Sequence, residues 1–213
     1  MAQPALRVQS RPMLEVAFTL FGADVTRLEV IAFVLALACV IFNVLEVHWA
    51  WPLAIVSSVL YAWLFFASRL YGDVAVQSFF IISSAWGWYQ WLFGRRADGQ
   101  GVTVPLRIVH LGSRRMLAVA ILWLAAWPLL GVVLARFTDT DVPYFNAFPT
   151  VGSFIGQVLL ALKFVETWPV WLVVNAVSVV LYATKSLWLT ALLYVIFAAL
   201  ALAGWRRWGR LAR

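Results

Sequence analysis

The sequence predicts an all-α integral membrane protein. Seven transmembrane helices follow a three-plus-one-plus-three order, two parallel repeats joined by a linking helix, with an interfacial helix at the N-terminus. Three observations carry this. First, 64% of the 213 residues are hydrophobic and 12% charged, with a mean hydropathy of +0.91. Soluble domains run about 45–50% apolar and about 25% charged, and a core hiding this much apolar side chain would leave too little polar surface to cover it. Second, seven apolar runs of roughly spanning length divide the chain. Third, AIVSSVLYA (54–62) returns as NAVSVVLYA (175–183), about 120 residues later. A soluble globule, a disordered chain and a disulfide scaffold are excluded. Cys39, the one cysteine, lies inside an apolar run, can form no internal disulfide, and reads as a small core residue.

Residues 11–22 are too short to span and carry charge near one end, which predicts an amphipathic helix lying in the interface. Residues 1–27 hold Arg7, Arg11, Glu15, Asp24 and Arg27 around a short apolar stretch, unlike a cleavable signal peptide. The spans are expected at 28–47, 51–68, 74–93, 115–135, 148–166, 169–184 and 186–205. SRLYGD (68–73) separates the second from the third, and a charged loop (94–115) follows the third. RFTDTDVPYFN (136–146), the Trp168-Pro169 step and a tight join near Lys185 mark the later breaks. The organisation is therefore an interfacial segment (1–27), a first three-helix repeat (28–94), a basic loop with the linking helix (95–147), and a second repeat with a basic tail (148–213).

The repeat has further support. Gly87-Trp88-Tyr89-Gln90-Trp91 and Gly204-Trp205-Arg206-Arg207-Trp208 share a Gly-Trp-x-x-Trp signature. Val44-Leu45-Glu46 and the Lys163–Glu166 stretch are each followed by a Trp and a Pro. Three spans are an odd number, so a linking span is needed to bring the second triplet in with the same orientation. Proteins built on such parallel repeats place a site near the midplane between them. Sixteen Lys and Arg against nine Asp and Glu give a net charge of +7. In a soluble chain this would suggest nucleic acid; here it marks cytoplasmic loops. With seven spans one side collects Arg95, Arg96, Arg107, Arg114, Arg115, Lys163, Arg206, Arg207, Arg210 and Arg213. That side is expected to be cytoplasmic, leaving the N-terminus outside and the C-terminus inside.

Charge inside a bilayer is expensive and usually functional. All nine acids fall in loops or near helix ends, as do His48 and His110. This argues against a proton- or sodium-driven pump, and against an intramembrane metalloenzyme. The chain has no Gly-rich phosphate loop with Lys-Ser/Thr, so neither ATP nor a cofactor is implied. What remains at depth is uncharged polarity beside aromatic rings. Trp171, Asn175, Ser178, Tyr182 and Lys185 form one stripe on the sixth span, either a polyol-binding wall or a polar seam between helices. Lys185 has no obvious acidic partner in the sequence nearby. On the third span Ser83, Gly87 and Gln90 share a face beside Trp86, with Ser84, Trp88 and Trp91 flanking it. Trp91 and Trp208 are expected in an interfacial aromatic belt, while Trp86 and Trp88 fit either a belt or a binding site. Asn43 and Gln157 are single intramembrane amides, substrate contacts or interhelical glue. Glu46 and Glu166, at matching places in the repeats, either gate the cytoplasmic side or solvate helix ends. Gly152 and Gly156 permit a close helix approach, within the chain or between subunits.

The WGWYQW run (86–91) behind a Trp-Pro span, together with the W-x-V-N-A-x-S-x-x-L-Y-A-T-K run (171–185), resembles the PnuC family of bacterial vitamin transporters, which are related in repeat architecture to the SWEET sugar transporters. The resemblance covers about residues 28–208. It implies a multi-pass protein of the bacterial inner (plasma) membrane, a homotrimer, and facilitated diffusion of nicotinamide riboside, a precursor of NAD. A cytosolic kinase then traps the substrate by phosphorylation. Related transporters carry thiamine or riboflavin, and the reading from a different class is a non-transporting membrane scaffold protein in which the polar stripe only joins helices. The motif positions assign Trp86, Gln90, Asn175, Tyr182 and Lys185 to the site. The chemistry agrees, since aromatic faces hold a flat pyridinium cation for about 0.5–2 kcal/mol per contact, and Asn175, Gln90 and Ser178 can serve ribose hydroxyls.

Overall fold

The computed structural model describes residues 16–20, 23–67, 71–97, 101–185 and 187–212. Seven helices account for most of them: α1 (Arg27–Val44), α2 (Ala50–Ala67), α3 (Tyr71–Phe93), α4 (Ser113–Phe137), α5 (Pro143–Ala161), α6 (Thr167–Thr184) and α7 (Trp188–Leu211). Each overlaps an expected span, five of them to within three residues at either end; α5 lies five residues earlier than expected and α7 runs six residues further. Among the described residues three have the length and apolarity to cross a bilayer outright, α4, α6 and α7. Apolar stretches in α1 and α2, Phe33–Val44 and Ala50–Trp63, are shorter.

The N-terminal expectation is corrected. Residues 16–20 are not helical; they form strand β1 (Val16–Leu20), paired antiparallel with β2 (Ala23–Thr26) through Val16↔Thr26 and Leu20↔Ala23. Val16, Phe18 and Thr19 are β-branched or aromatic and suit extended backbone, and a local hairpin satisfies their peptide groups without a helix. Residues 1–15, 21 and 22 of the expected interfacial segment lie outside the described residues. A second hairpin, β3 (Arg95–Ala97) with β4 (Thr103–Pro105), shapes the charged loop.

Local sequence explains the helix ends. Pro52 and Pro169 sit in the first turns of α2 and α6, and Pro143 opens α5, where a missing N–H costs nothing. The ends of α1 and α5 are unusual. Glu46 (φ 62°) and Lys163 (φ 55°) adopt the left-handed conformation that normally goes to glycine after a helix. They lie 117 positions apart, and the backbone around them repeats at that spacing. Leu45 N–H donates to Ile41, Glu46 to Asn43, and Val47 to Phe42; Leu162 donates to Val158, Lys163 to Leu160, and Phe164 to Leu159. The corner leading into α2 is matched likewise by the corner into α6. Packing follows the same exchange: α2 lies on α3 as α6 on α7, α1 on α2 as α5 on α6, and α1 on α7 as α5 on α3. Helix α4 packs on α5 and is otherwise largely exposed.

This spacing moves the expected alignment by one helical turn. The AIVSSVLYA match pairs residues four positions out of step, an easy slip where neighbouring turns are almost equally apolar. The Gly-Trp-x-x-Trp signatures already carry the structural register. In it Glu46 answers to Lys163, and Glu166 to Trp49, so the expectation that Glu46 and Glu166 match is corrected.

Candidate functional site

Two core clusters hold the helices together, and the larger sits at the end of the bundle where α1 and α5 terminate. The larger is built on tryptophan: Trp51, Trp91, Trp168 and Trp208, with Val44, Leu160 and Val165. Trp208 is fully buried and Trp91 is 9% exposed, so the expected interfacial belt is corrected for both. Their indole N–H groups show why. Trp91 Nε1 donates to the Leu160 carbonyl (3.1 Å) and Trp208 Nε1 to the Val44 carbonyl (3.3 Å). Each tryptophan therefore satisfies a helix-end carbonyl of the opposite half. The rings interlock as well, Trp51 edge-on to Trp91 (5.4 Å) and Trp168 edge-on to Trp208 (5.3 Å). Gly87 and Gly204 make room: a Cβ on either would come within 2.5 Å of the Trp51 or Trp168 ring.

Behind this cluster lies a cavity of about 310 Å³, within the range of small-molecule sites. Every helix except α4 contributes to it. Asn43 and Cys39 of α1, Ser57 and Ser58 of α2, and Gln157 of α5 supply polar atoms, as do Asn175 of α6 and Tyr194 of α7. Trp168, Trp171, Phe80 and Phe197 supply aromatic surface. Among the described residues, no lining residue carries a charge. Positions matched at this spacing line the cavity with different chemistry: Ser58 answers to Asn175, Val40 to Gln157, Asn43 to Leu160 and Ala54 to Trp171.

The walls are held by hydrogen bonds between helices. Gln157 Nε2 donates to Ser84 Oγ (3.2 Å), joining α5 to α3. Cys39 Sγ donates to the Ala50 carbonyl (3.4 Å), joining α1 to α2. Thr167 Oγ1 donates to the Gly156 carbonyl (2.9 Å), and Gly156 lets the Trp171 ring pack against α5. Gly152 admits Trp123 of α4 and Val174 of α6, so both glycines serve close approach within one chain. Asn43 Oδ1 and Trp168 Nε1, on two lining residues, have no hydrogen-bond partner among the described residues.

Of the residues singled out in the sequence, Asn43, Gln157, Trp171 and Asn175 come together at this cavity. Ser83, Trp86, Trp88, Gln90, Ser178, Tyr182 and Lys185 are not among its lining residues. Trp86 and Trp88 pack on the tryptophan cluster. Ser83 Oγ donates to the Phe80 carbonyl (3.3 Å). Gln90, in the last turn of α3, accepts at its carbonyl from Gly94 N–H. Ser178 is buried, and Tyr182 stacks on the cavity residue Tyr194 at 5.1 Å. Lys185 does have an acidic partner: its Nζ donates to Asp141 Oδ1 (2.8 Å), across the gap between the α4–α5 loop and the end of α6. The hydrogen bond from Lys185 holds the Asp141 carboxyl below the usual carboxylate range. Ser57, Ser58 and Tyr194 were not singled out in the sequence. Aligning the halves on the Gly-Trp-x-x-Trp signatures would have found Ser58, since that register sets it opposite Asn175.

The charged loop docks on the end of α5. Val109 N–H donates to the Lys163 carbonyl and Val165 N–H to the Val109 carbonyl. Arg96 donates to the Leu162 carbonyl (2.6 Å) and lies 4.5 Å from the centre of the Phe164 ring. Glu166 accepts from Leu111 N–H (2.8 Å) and pairs with His110 (3.1 Å). Its carboxylate is engaged in holding the loop.

A bundle of apolar helices around a neutral, aromatic-walled cavity is the architecture of a membrane protein that handles a small molecule. Residues 26–210 match the family model described as nicotinamide mononucleotide transporter, and the chain belongs to that transporter family, the PnuC family that its tryptophan motifs resemble. It is a family of transporters, not of enzymes. Among its relatives, the nicotinamide riboside transporter PnuC of Escherichia coli is 25% identical over 215 residues, covering 90% of this chain and 89% of the relative. The riboflavin/roseoflavin transporter RibM of Streptomyces davaonensis is 28% identical over 195 residues, with the same shares covered. A crystal structure of the vitamin B3 transporter PnuC shares the fold, with a TM-score of 0.67 at 21% identity over 85% of this chain and 80% of that one.

Proposed function

We propose that this protein mediates facilitated diffusion of nicotinamide riboside across the bacterial inner membrane, by alternating access around the cavity. The observation that carries the reading is the cavity's chemistry: amides, hydroxyls and aromatic faces, with no charged lining residue among the described ones. A pyridinium riboside needs aromatic surface for its ring and hydrogen bonds for its ribose and carboxamide. With no cation on the wall, a phosphate group would lie unpaired in a low-dielectric site, which favours the nucleoside over its nucleotide. The unpartnered Asn43 Oδ1 and Trp168 Nε1 offer an acceptor and a donor whose burial unpaired costs about 1–3 kcal/mol each. The contact set we propose is Asn43, Gln157, Trp171 and Asn175 with Ser58 and Tyr194. Tyr182 and Ser178 support it from behind; Trp86, Trp88 and Gln90 support the neighbouring helix end.

The proposed moving parts are the two three-helix repeats, α1–α3 and α5–α7, with α4 as linker. The matched hydrogen bonds and the exchanged packing support this. The proposed orientation puts the arginine-rich end in the cytoplasm, where phosphorylation would trap the product. The proposed assembly is a homotrimer. Riboflavin is the second reading, favoured by the similarity to RibM; thiamine is a third. Uptake of labelled riboside into protein-loaded vesicles tests the proposal. Accumulation to equilibrium without any ion gradient is expected, and a strict need for a proton or sodium gradient would sink it. Binding to nicotinamide riboside, its mononucleotide, riboflavin and thiamine decides the substrate. Asn175→Ala should weaken riboside binding about two- to tenfold, the worth of one hydrogen bond, while the protein stays folded.

A further inference from the structure

At the end of α1 the cavity wall stops at Asn43, and at the end of α5 it stops at Leu160, its counterpart in the repeat. Three residues further along each chain sit Glu46 and Lys163. Both have left-handed backbone, and Lys163 Nζ donates to Glu46 Oε1 at 2.6 Å. Lys163 also lies 4.9 Å from the centre of the Trp91 ring. It is 8% exposed. A non-glycine residue in this conformation is strained, and here the strain falls on the two positions that meet.

We propose that the Glu46–Lys163 ion pair is the latch that holds this end of the cavity shut, and that it must part for substrate to leave. The inference rests on the alternating-access reading above. Its physical basis is the set of links between halves at this end: the ion pair, Trp91 to Leu160 and Trp208 to Val44. The two indole bonds end on backbone carbonyls beside the latch, so separating α1–α3 from α5–α7 at this end breaks all three together. An ion pair half withdrawn from water is suited to such a role. Its parts gain hydration when separated, so opening costs far less than the bare Coulomb attraction. A cationic substrate moving from Asn43 towards Glu46 would compete with Lys163 for the carboxylate, coupling release to the presence of cargo.

Cys39, the sole cysteine of the sequence, lines the cavity and reports on the latch. The full chain is reconstituted, and modification of Cys39 by a membrane-impermeant thiosulfonate is timed from the side bearing Arg206, Arg207 and Arg210. Glu46→Gln and Lys163→Gln should each raise the rate about tenfold, and the swapped pair E46K/K163E should return it to within about twofold of the native rate. Unchanged labelling in the single variants, or a swapped pair as open as they are, overturns the proposal. If a single variant does not fold, the swapped pair decides alone: native protection supports the latch and lost protection refutes it. The assay uses no substrate, so failure of the latch and failure of the riboside reading are seen separately.

Discussion

Asp141 and Lys185 show what a single contact can and cannot do. The pair is exposed, and Asp141 is held below its ordinary range mainly by the hydrogen bond from Lys185. A carboxyl with a folded pKa below its unfolded one adds stability that is complete above the ordinary carboxylate value, about 3.9, and is lost as pH falls through the lowered folded value. Titration of Asp141 followed by carbon NMR should give a midpoint below that of a free aspartate, and Lys185→Met should raise it towards the ordinary range. An unshifted native midpoint would show that the pair does not persist in solution. The sequence misled here for a definite reason. Asp141 lies 44 residues from Lys185, and only the return of α5 and α6 brings the two loops together. Asn175 was legible because its helical spacing from Trp171 sets both on one face, and both do meet the cavity. Further along the same stripe the helix passes the cavity's end, which leaves Lys185 at a loop.

At the scale of elements, the seven helices were legible because hydropathy alone separates them, while the N-terminal strand was not. A short amphipathic run reads equally as one or two helical turns or as an extended strand. The tryptophans were harder still. A Trp near a helix end is ordinarily an interfacial residue, and only the positions of the helix-end carbonyls show that Trp91 and Trp208 turn inward. Their packing makes a strong demand on Gly87 and Gly204. Gly87→Ala and Gly204→Ala each force a methyl into an indole ring, an overpacking expected to cost about 1–3 kcal/mol. Thermal unfolding in detergent should show a clear loss for both, of similar size. Gly209, whose Cβ would meet nothing, should accept alanine with little change.

For the whole molecule, the charge distribution and the fold speak to the same axis. The end with the tryptophan cluster also carries Arg95, Arg96, Arg107, Arg114 and Arg115, together with Arg206, Arg207 and Arg210 of the last helix. A C-terminal epitope on the intact protein in cells should therefore be reached by antibody only after the inner membrane is permeabilised; labelling of intact spheroplasts would reverse the proposed orientation and, with it, the side on which the latch opens.

On the proposed three-plus-one-plus-three arrangement Glu46 and Lys163 occupy equivalent positions, and they touch each other, which bears on how such a protein can arise. In a symmetric dimer of identical three-helix chains, a residue that meets its own copy at the two-fold axis meets its own charge. Two glutamates or two lysines there would repel. Opposite charges at that point require the two halves to be encoded separately within one chain, free to diverge. On this proposal α4, which supplies no lining residue to the cavity, is the linker that permits a polarity across the axis that no homodimer could possess.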